Sequence, residues 1–552
     1  MPPPRAKRPL EGLQWPLVPD SKKEGDRSTT WTNKQALASA IRVVKPELAD
    51  KVLGEKQWRQ KYTTYVYQHV EACLTSKQAA LDSASAGLDW MHGNFEFIRD
   101  GKTMKFADAM STIKTSFETG FIKGSKPKPA TSELKVPYKG KTLQGEELIA
   151  QVGQWVSYGT IEPSAGQAIL DVAKDPKARD LSDKYFVLLG AGSAMGPLHL
   201  LMELGANIVA IDLYRPGIWK RLLGIAEASC GTMTFPLKDA QAGLTGDQLY
   251  EAAGCNLLTQ TPEILNWLTT VQPGKPLVVG AYAYLDGELH VRVSLAMDAI
   301  IKGLTEKRKD VMPAYLCTPT DVHVIPEEAH VAMKENLGSL APANVAIKLS
   351  PFYLLGTLVK NPRPAVAASD RTSFRLVDGL VNKQQGPNYA LAKRLQHWRA
   401  MVARERQGCK VSSNIAPSTA TASVTSNRLF AMAYEGMHWF VPMEVFRQET
   451  SNAVMGALLL SDAGAASGAS TPSTALANPL QLFSSGSFHG GVWRMGYTID
   501  SIGAACIAAS ALEQLVRLAT KLLLLAAVVL AVLYFGMGKD PAGLEGVFRG
   551  EL

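Results

Sequence analysis

Between residues 184 and 216 the chain reads KYFVLLGAGSAMGPLHLLMELGANIVAIDLYRP, and no other stretch limits the possible folds as sharply. Residues 186–189 form an apolar run of the length of a buried strand. Gly190, Gly192 and Gly196 follow at a spacing that demands a tight turn, residues 199–203 begin a helical pattern, and residues 208–211 give a second apolar run closed by Asp212. Strand, glycine turn, helix and a second strand ending in an acid make a βαβ unit of the dinucleotide-binding kind. In such a unit, amides at the helix N-terminus receive a pyrophosphate and the carboxylate takes the ribose hydroxyls.

Downstream, strand-like runs at 231–237, 276–280, 311–318 and 410–416 alternate with helical periodicities at 261–271, 292–304 and 389–404. That rhythm predicts an α/β fold, a doubly wound parallel sheet of Rossmann type over 184–500, interrupted by a less regular insertion at about 319–386. With 552 residues the chain exceeds what one core usually holds. The flanks are therefore expected to carry elements of their own. Proline and charge in residues 1–30 predict a disordered tail. Residues 31–123 predict a helical region, with Asn33 as a cap, and 124–183 a linker followed by a lead-in hairpin and helices. The small, polar run AGAASGASTPSTA at 463–475 reads as a mobile surface loop.

The end of the chain differs in kind. Residues 522–538, LLLLAAVVLAVLYFGMG, are an uncharged run of 17 between Lys521 and Lys539, short but sufficient to span a bilayer as a helix. A core helix usually keeps a polar stripe, and this run has none. The expectation is a single-pass C-terminal anchor, preceded by a juxtamembrane helix at 501–521 and followed by a short tail at 539–552. The main domain is expected to face the cytosol and the bilayer to be a partner.

Several functions are set aside by composition. A net charge of +8 without a basic stripe interleaved with aromatics argues against nucleic acid. Six scattered cysteines with no CxxC pair argue against a zinc ribbon or a disulfide framework, and read as reduced thiols. DVHVIPEEAH, with His323, Glu327, Glu328 and His330, lacks metal-ligand spacing and reads as a surface loop, as does HGG at 489–491, so no metal is expected. No GxSxG, Walker loop or Cys/His pairing suggests a hydrolase or kinase.

LGAGSAMG resembles the TGxxxGxG turn of short-chain dehydrogenases/reductases, with Leu189 for the threonine, Gly190 and Gly196 matching, and Ala194 at the middle glycine. GPNYALAKRL supplies a second match, since Tyr389 and Lys393 form the YxxxK pair and residues four apart share a helix face. VSSNIAPSTAT then resembles the family's sixth strand and its turn through Pro417 toward Thr419 or Thr421. The resemblance covers about 185–462 and implies NAD(P) as cofactor. Gly190, Gly192, Ser193, Met195, Gly196, Asp212, Pro417 and Thr419 would contact it. Tyr389 would be the acid/base and Lys393 its pKa tuner and ribose contact, with the hydroxyl of the family's serine supplied by Thr318, Thr320 or Ser373. Asp212 favours NAD over NADP, an effect Arg215 softens. The family's NAG turn is replaced by GAYA at 280–283, and Ser294 stands for its asparagine.

These readings predict a membrane-anchored NAD(P)-dependent oxidoreductase acting on a carbonyl or alcohol of a lipophilic substrate. The alternative is a catalytically inactive nucleotide-binding scaffold tethered to a membrane. An S-adenosylmethionine methyltransferase would share the glycine turn and acid but not explain the YxxxK pair. No motif specifies an oligomeric state.

Overall fold

The computed structural model describes residues 10–128, 132–382 and 384–536. Its centre is a sheet of seven strands: β1 (Glu118–Lys123), β2 (Tyr185–Leu189), β3 (Asn207–Ile211), β4 (Thr232–Leu237), β5 (Leu277–Ala281), β6 (Val311–Cys317) and β7 (Ser412–Ile415). Their order is β7-β6-β5-β2-β3-β4-β1. Every pairing from β2 to β7 is parallel, and β1 joins β4 antiparallel. Strand order therefore reverses between β2 and β5. This is a mixed α/β protein with a central, mostly parallel sheet.

Successive side chains of a strand point to opposite faces, and β2 shows what covers each. Phe186 and Leu188 enter a core with Trp155 and Met455, while Val187 and Leu189 enter a second core with Met91 and Trp398. Burial on both faces is why these strands read as unbroken apolar runs. The hairpin of Val136–Tyr138 and Lys141–Leu143 and helices Gly145–Tyr158 and Pro163–Lys174 serve the first core, as does Gln448–Gly464.

Helices Thr29–Arg42, Trp58–Cys73 and Lys77–Asn94 share the second core with the sheet, so the N-terminal helical region is not separate from the sheet's own core. It is also not all helix, because β1 lies within it. Ser28, not Asn33, caps the first of these helices, its hydroxyl accepting from Trp31 N. Asn33 instead donates its side-chain amide to Thr29 O at 2.9 Å and Asn388 Oδ1 at 2.7 Å. The expected tail is ordered from residue 10: Gly12–Gln14 is a strand paired with Glu96–Arg99, with Leu13 and Trp15 buried. Residues 1–9 lie outside the described residues. In the linker, Gly124 N and Ser125 N donate to Gly231 O and Glu227 O, extending the β1 edge.

Two loop expectations are overturned because buried ion pairs and strand pairing hold those segments inside. Val322–Ile325 is a buried strand in a small antiparallel sheet with Ser373–Asp378 and Val366–Ala367, and Glu327–Gly338 is a helix. His489 is fully buried, its Nε2 2.8 Å from Glu162 Oε1. Nor is the segment after Gly464 free: Arg404, itself buried, donates to the carbonyls of Ala469, Thr471 and Thr474.

Glu162 yields a pH prediction. Burial would raise its carboxyl, but hydrogen bonds from Arg494 and His489 outweigh that and hold it at about 2, against an ordinary 4.5. A depressed carboxyl stabilises the fold above the unfolded value, and that contribution is lost as pH falls through the folded one. Glu162→Gln should cost up to about 3 kcal/mol near neutral pH, with the deficit shrinking between pH 4.5 and 2. Denaturation midpoints of both proteins across that window check it.

The C-terminal region is one continuous helix, Ile499–Gly536, of 38 residues, about 57 Å long. Its first part packs on helix Arg428–Gly436, where a side chain in place of Gly436 would strike Cys506 O. Ser510 Oγ donates to Glu435 and Trp439 Nε1 to Glu513. Beyond these contacts Leu515, Leu522, Leu525, Leu530 and Leu533 are all exposed. The helix is long and apolar enough to cross a membrane and is the candidate span. The expected end of the span at 537–538 and the tail at 539–552 lie outside the described residues.

Candidate functional site

A cavity of about 1350 Å³ opens at the carboxyl ends of the strands, where their order reverses. This is the place where open parallel sheets leave a crevice for ligands. Each bordering strand hands its next residues to the cavity wall: Gly190 after β2, Tyr282 and Ala283 after β5, Thr318 after β6, Ala416 and Pro417 after β7.

Gly190 has φ +93, and any Cβ there would lie 2.6 Å from Ala283 Cα, because Tyr282 N and Ala283 N both donate to Leu189 O. Glycine is required for both the left-handed backbone and the close approach. Gly192, Ser193 and Met195 line the cavity with it. Gly196 lies in the turn, donating to Ser193 O at 3.1 Å, and is not part of the lining. The helix that follows is Leu198–Glu203, six residues only, so the pyrophosphate expectation rests on the turn more than on a long helix. Among the described residues, the N–H groups of Ala194 and Met195 donate to nothing.

Asp212 lines the same cavity, with Arg215 and Arg221. Its carboxylate is already engaged, accepting from Gly192 N at 2.7 Å and Leu213 N at 2.8 Å. Each oxygen retains acceptor capacity. Burial raises its carboxyl, against those amides and the two arginines.

Tyr389 and Lys393 sit on helix Pro387–Glu405 and both face the cavity. Lys393 Nζ lies 5.8 Å from the Tyr389 ring centroid and donates to Leu316 O at 3.1 Å and Gln396 Oε1 at 3.3 Å. The expected lowering of the phenol by this ammonium is not what the site does. Burial pushes Tyr389 above its ordinary value, the Thr318 hydroxyl pulls the other way, and burial likewise lowers Lys393. Desolvation exceeds the attraction of an ammonium whose hydrogen bonds point elsewhere.

Of the three candidate hydroxyls, Thr318 and Thr320 line the cavity and bond each other at 2.7 Å. Ser373 is exposed in its own small sheet and lines no part of it. Thr419 lines the wall but turns its hydroxyl to Pro417 O at 2.9 Å and Ser451 Oγ at 2.8 Å. Ser294 is buried without a partner for its hydroxyl and does not reach the cavity.

Sequence reasoning missed His290, one turn before Ser294. Its ring stacks with Tyr389 (centroids 5.5 Å apart, 22°) and touches Tyr284 at 4.7 Å. Both ring nitrogens are buried without partners among the described residues, and burial, with Lys393 nearby, pushes the imidazole down to about 3. It is a neutral imidazole at physiological pH. Also missed was the apolar wall of Phe430, Ala433, Met437, Ile499 and Gly503, where the base of the candidate membrane helix closes the cavity. Nothing in the local pattern of 428–440 marks it.

Chemically, the cavity pairs a glycine-lined end, holding the Asp212 carboxylate beside two arginines and backbone amides, with a hydroxyl, phenol and ammonium end. Set against protein-family models, curated proteins and solved structures, the chain matches none of them.

Proposed function

We propose that this chain is a membrane-anchored NAD(P)-dependent oxidoreductase of short-chain dehydrogenase type, reducing or forming a carbonyl on a lipophilic substrate. The carrying observation is that Tyr389, Lys393 and Thr318 converge on the same cavity as the Gly190 turn and Asp212, although Gly190 and Tyr389 lie far apart in sequence. Numbering only the parallel strands in chain order, their sequence across the sheet is 3-2-1-4-5-6, which supports a doubly wound dinucleotide-binding reading.

The residues present fit such a cofactor. Asp212 and the free amides of Ala194 and Met195 offer ribose and phosphate partners, and a Cβ at Gly192 would crowd Arg221 Nη2 at 2.6 Å. The volume exceeds the roughly 300–1,000 Å³ of a typical single-ligand pocket, leaving room for a second molecule. A bound nicotinamide would supply the hydride in carbonyl reduction and accept it in alcohol oxidation. Tyr389 holds the proton given to, or taken from, the substrate oxygen, Thr318 orients that oxygen, and Lys393 holds positive charge beside the phenol. The apolar wall formed with Ile499 and Gly503 supports a lipophilic substrate presented from the membrane.

Fluorescence titration of the full-length protein in detergent with NADH and NADPH tests the reading; binding of neither refutes it. Asp212→Asn should weaken NADH about 10-fold, the size of one lost charge-assisted hydrogen bond, and leave NADPH nearly unchanged because the repulsion of a 2′-phosphate is relieved at the same time. The hydrogen bonds of Thr318 to Thr320 and of Lys393 to Leu316 O favour a second reading, a nucleotide-binding scaffold without turnover. Cofactor binding without any oxidation of NADH across apolar aldehydes and ketones would select it.

A further inference from the structure

The hydroxyl end of the cavity is a chain of hydrogen bonds with a direction. Gln385, which lines the cavity just before the helix that carries Tyr389, donates its side-chain Nε2 to Thr320 Oγ1 at 2.7 Å. Thr320 Oγ1 in turn lies 2.7 Å from Thr318 Oγ1, and Thr320 N donates to that same Thr318 oxygen at 3.2 Å. A hydroxyl has one proton to give and two lone pairs to receive with. With Gln385 donating into it, Thr320 keeps its own proton to give, and Thr318 Oγ1 is its acceptor among the described residues. Thr318 therefore receives from Thr320 and turns its own proton to the cavity, where it faces Tyr389. The opposite direction would leave the Thr320 proton without a partner. The Thr318 hydroxyl also acts on Tyr389 as a donor does, pulling the phenol down against the effect of burial.

Both ends of the chain are fixed. Arg59, on helix Trp58–Cys73, donates through Nη2 to Gln385 O at 2.6 Å and through Nη1 to Asn382 O at 2.6 Å and Asn382 Oδ1 at 3.1 Å. At the other end, Thr318 O accepts from the buried His323 Nε2 at 2.8 Å. A hydroxyl that accepts a hydrogen bond is a stronger donor, because successive bonds polarise one another.

We propose that Gln385 is a positioning residue for carbonyl reduction: by donating to Thr320 it aims the Thr318 proton at the substrate oxygen, and Arg59 holds Gln385 in place for this. When hydride from the reduced cofactor reaches the carbonyl carbon, the π pair moves to oxygen and Tyr389 gives that oxygen its proton, leaving a phenolate and an oxidised cofactor. Thr318 keeps its proton and stabilises the developing charge by a hydrogen bond. The N-terminal helices thereby take part in the chemistry through Arg59. The role rests on the oxidoreductase reading of the cavity, and the test separates the two.

The test compares full-length wild type, Gln385→Met and Gln385→Glu in detergent, with NADH and decanal. Methionine removes the directing donor and should lower kcat about 10-fold. A carboxylate only accepts, so Gln385→Glu draws the Thr320 proton to itself and the Thr318 proton after it. It should lower kcat about 10²-fold, the usual cost of one lost donor to a developing oxyanion. NADH affinity should stay within about 2-fold in both variants. In a Thr320→Val background the chain is already cut, and neither change should then lower kcat by more than about 2-fold. Isotope-edited infrared spectra of decanal in the unreactive complex with NAD⁺ read the donor without turnover. The carbonyl stretch should lie at lower wavenumber in wild type and return part of the way toward that of free decanal in Gln385→Glu, with Tyr389 still donating. Full losses that persist on top of Thr320→Val, or a carbonyl stretch the same in both proteins, overturn the positioning role and leave the oxidoreductase standing. Wild type that binds NADH but turns over neither decanal nor the other apolar aldehydes and ketones removes the oxidoreductase reading and this role with it.

Discussion

Tyr389→Phe is expected to lower turnover by about 10²- to 10⁴-fold, the usual contribution of a positioned acid or base, while leaving NADH affinity within about 2-fold, less than 0.5 kcal/mol. Only the phenolic oxygen is removed. The ring stacked on His290 stays, and the groups proposed to hold the cofactor are elsewhere in the cavity. The sign of the pH dependence follows from the direction of the shift. An ordinary phenol titrates near 10, and burial moves Tyr389 above that. The phenol is thus protonated at neutral pH and suited to giving a proton, so carbonyl reduction should run at pH 7. Alcohol oxidation, which needs the phenolate, should rise with pH over the alkaline range and lose that rise in Tyr389→Phe. Stopped-flow oxidation of NADH with a panel of apolar aldehydes and ketones reads the first, and NADH formation from NAD⁺ with the corresponding alcohols reads the second. Turnover unchanged in the variant removes the tyrosine from the mechanism.

The sheet was legible because burial on both faces writes itself as apolar runs. The runs around Val187, Val209, Val279 and Ala314 mark strands that the structure places side by side, and the alternation with helices predicts parallel pairing. What periodicity does not carry is the partner. Nothing in Glu118–Lys123 announces that it closes the far edge of the sheet, since an edge strand half open to solvent has no continuous apolar signal. Buried polar groups misled for a related reason. His323 and His489 look like loop residues in a linear reading, and become core residues only when His397 and Glu162 are brought to them from distant parts of the chain. At the cavity, Tyr389 and Lys393 were legible through their spacing. His290 was not, because a lone histidine on an apolar helix carries no spacing to read.

The tie behind the site gives the largest stability prediction. Asp298 and Arg399 are buried where helix Glu288–Lys307, which carries His290, meets helix Pro387–Glu405, which carries Tyr389 and Lys393. Arg399 donates twice, Nε to Asp298 Oδ1 at 2.8 Å and Nη2 to Oδ2 at 2.9 Å, and His92 Nε2 lies 2.6 Å from Oδ2. Burial would raise the Asp298 carboxyl, but the guanidinium outweighs it and holds it far below the usual range. Removing one partner of such a pair strands the other charge, so Arg399→Met should cost about 3–5 kcal/mol, visible as a large fall in the denaturation midpoint. Removing both charges together does not strand either. Arg399→Met with Asp298→Leu should therefore recover most of that loss, leaving His92 the only polar group of the cluster without its partner. If the single and double variants fall equally, the loss comes from taking the pair away and not from a stranded Asp298, and the pair itself is a net support for the positions of His290, Tyr389 and Lys393.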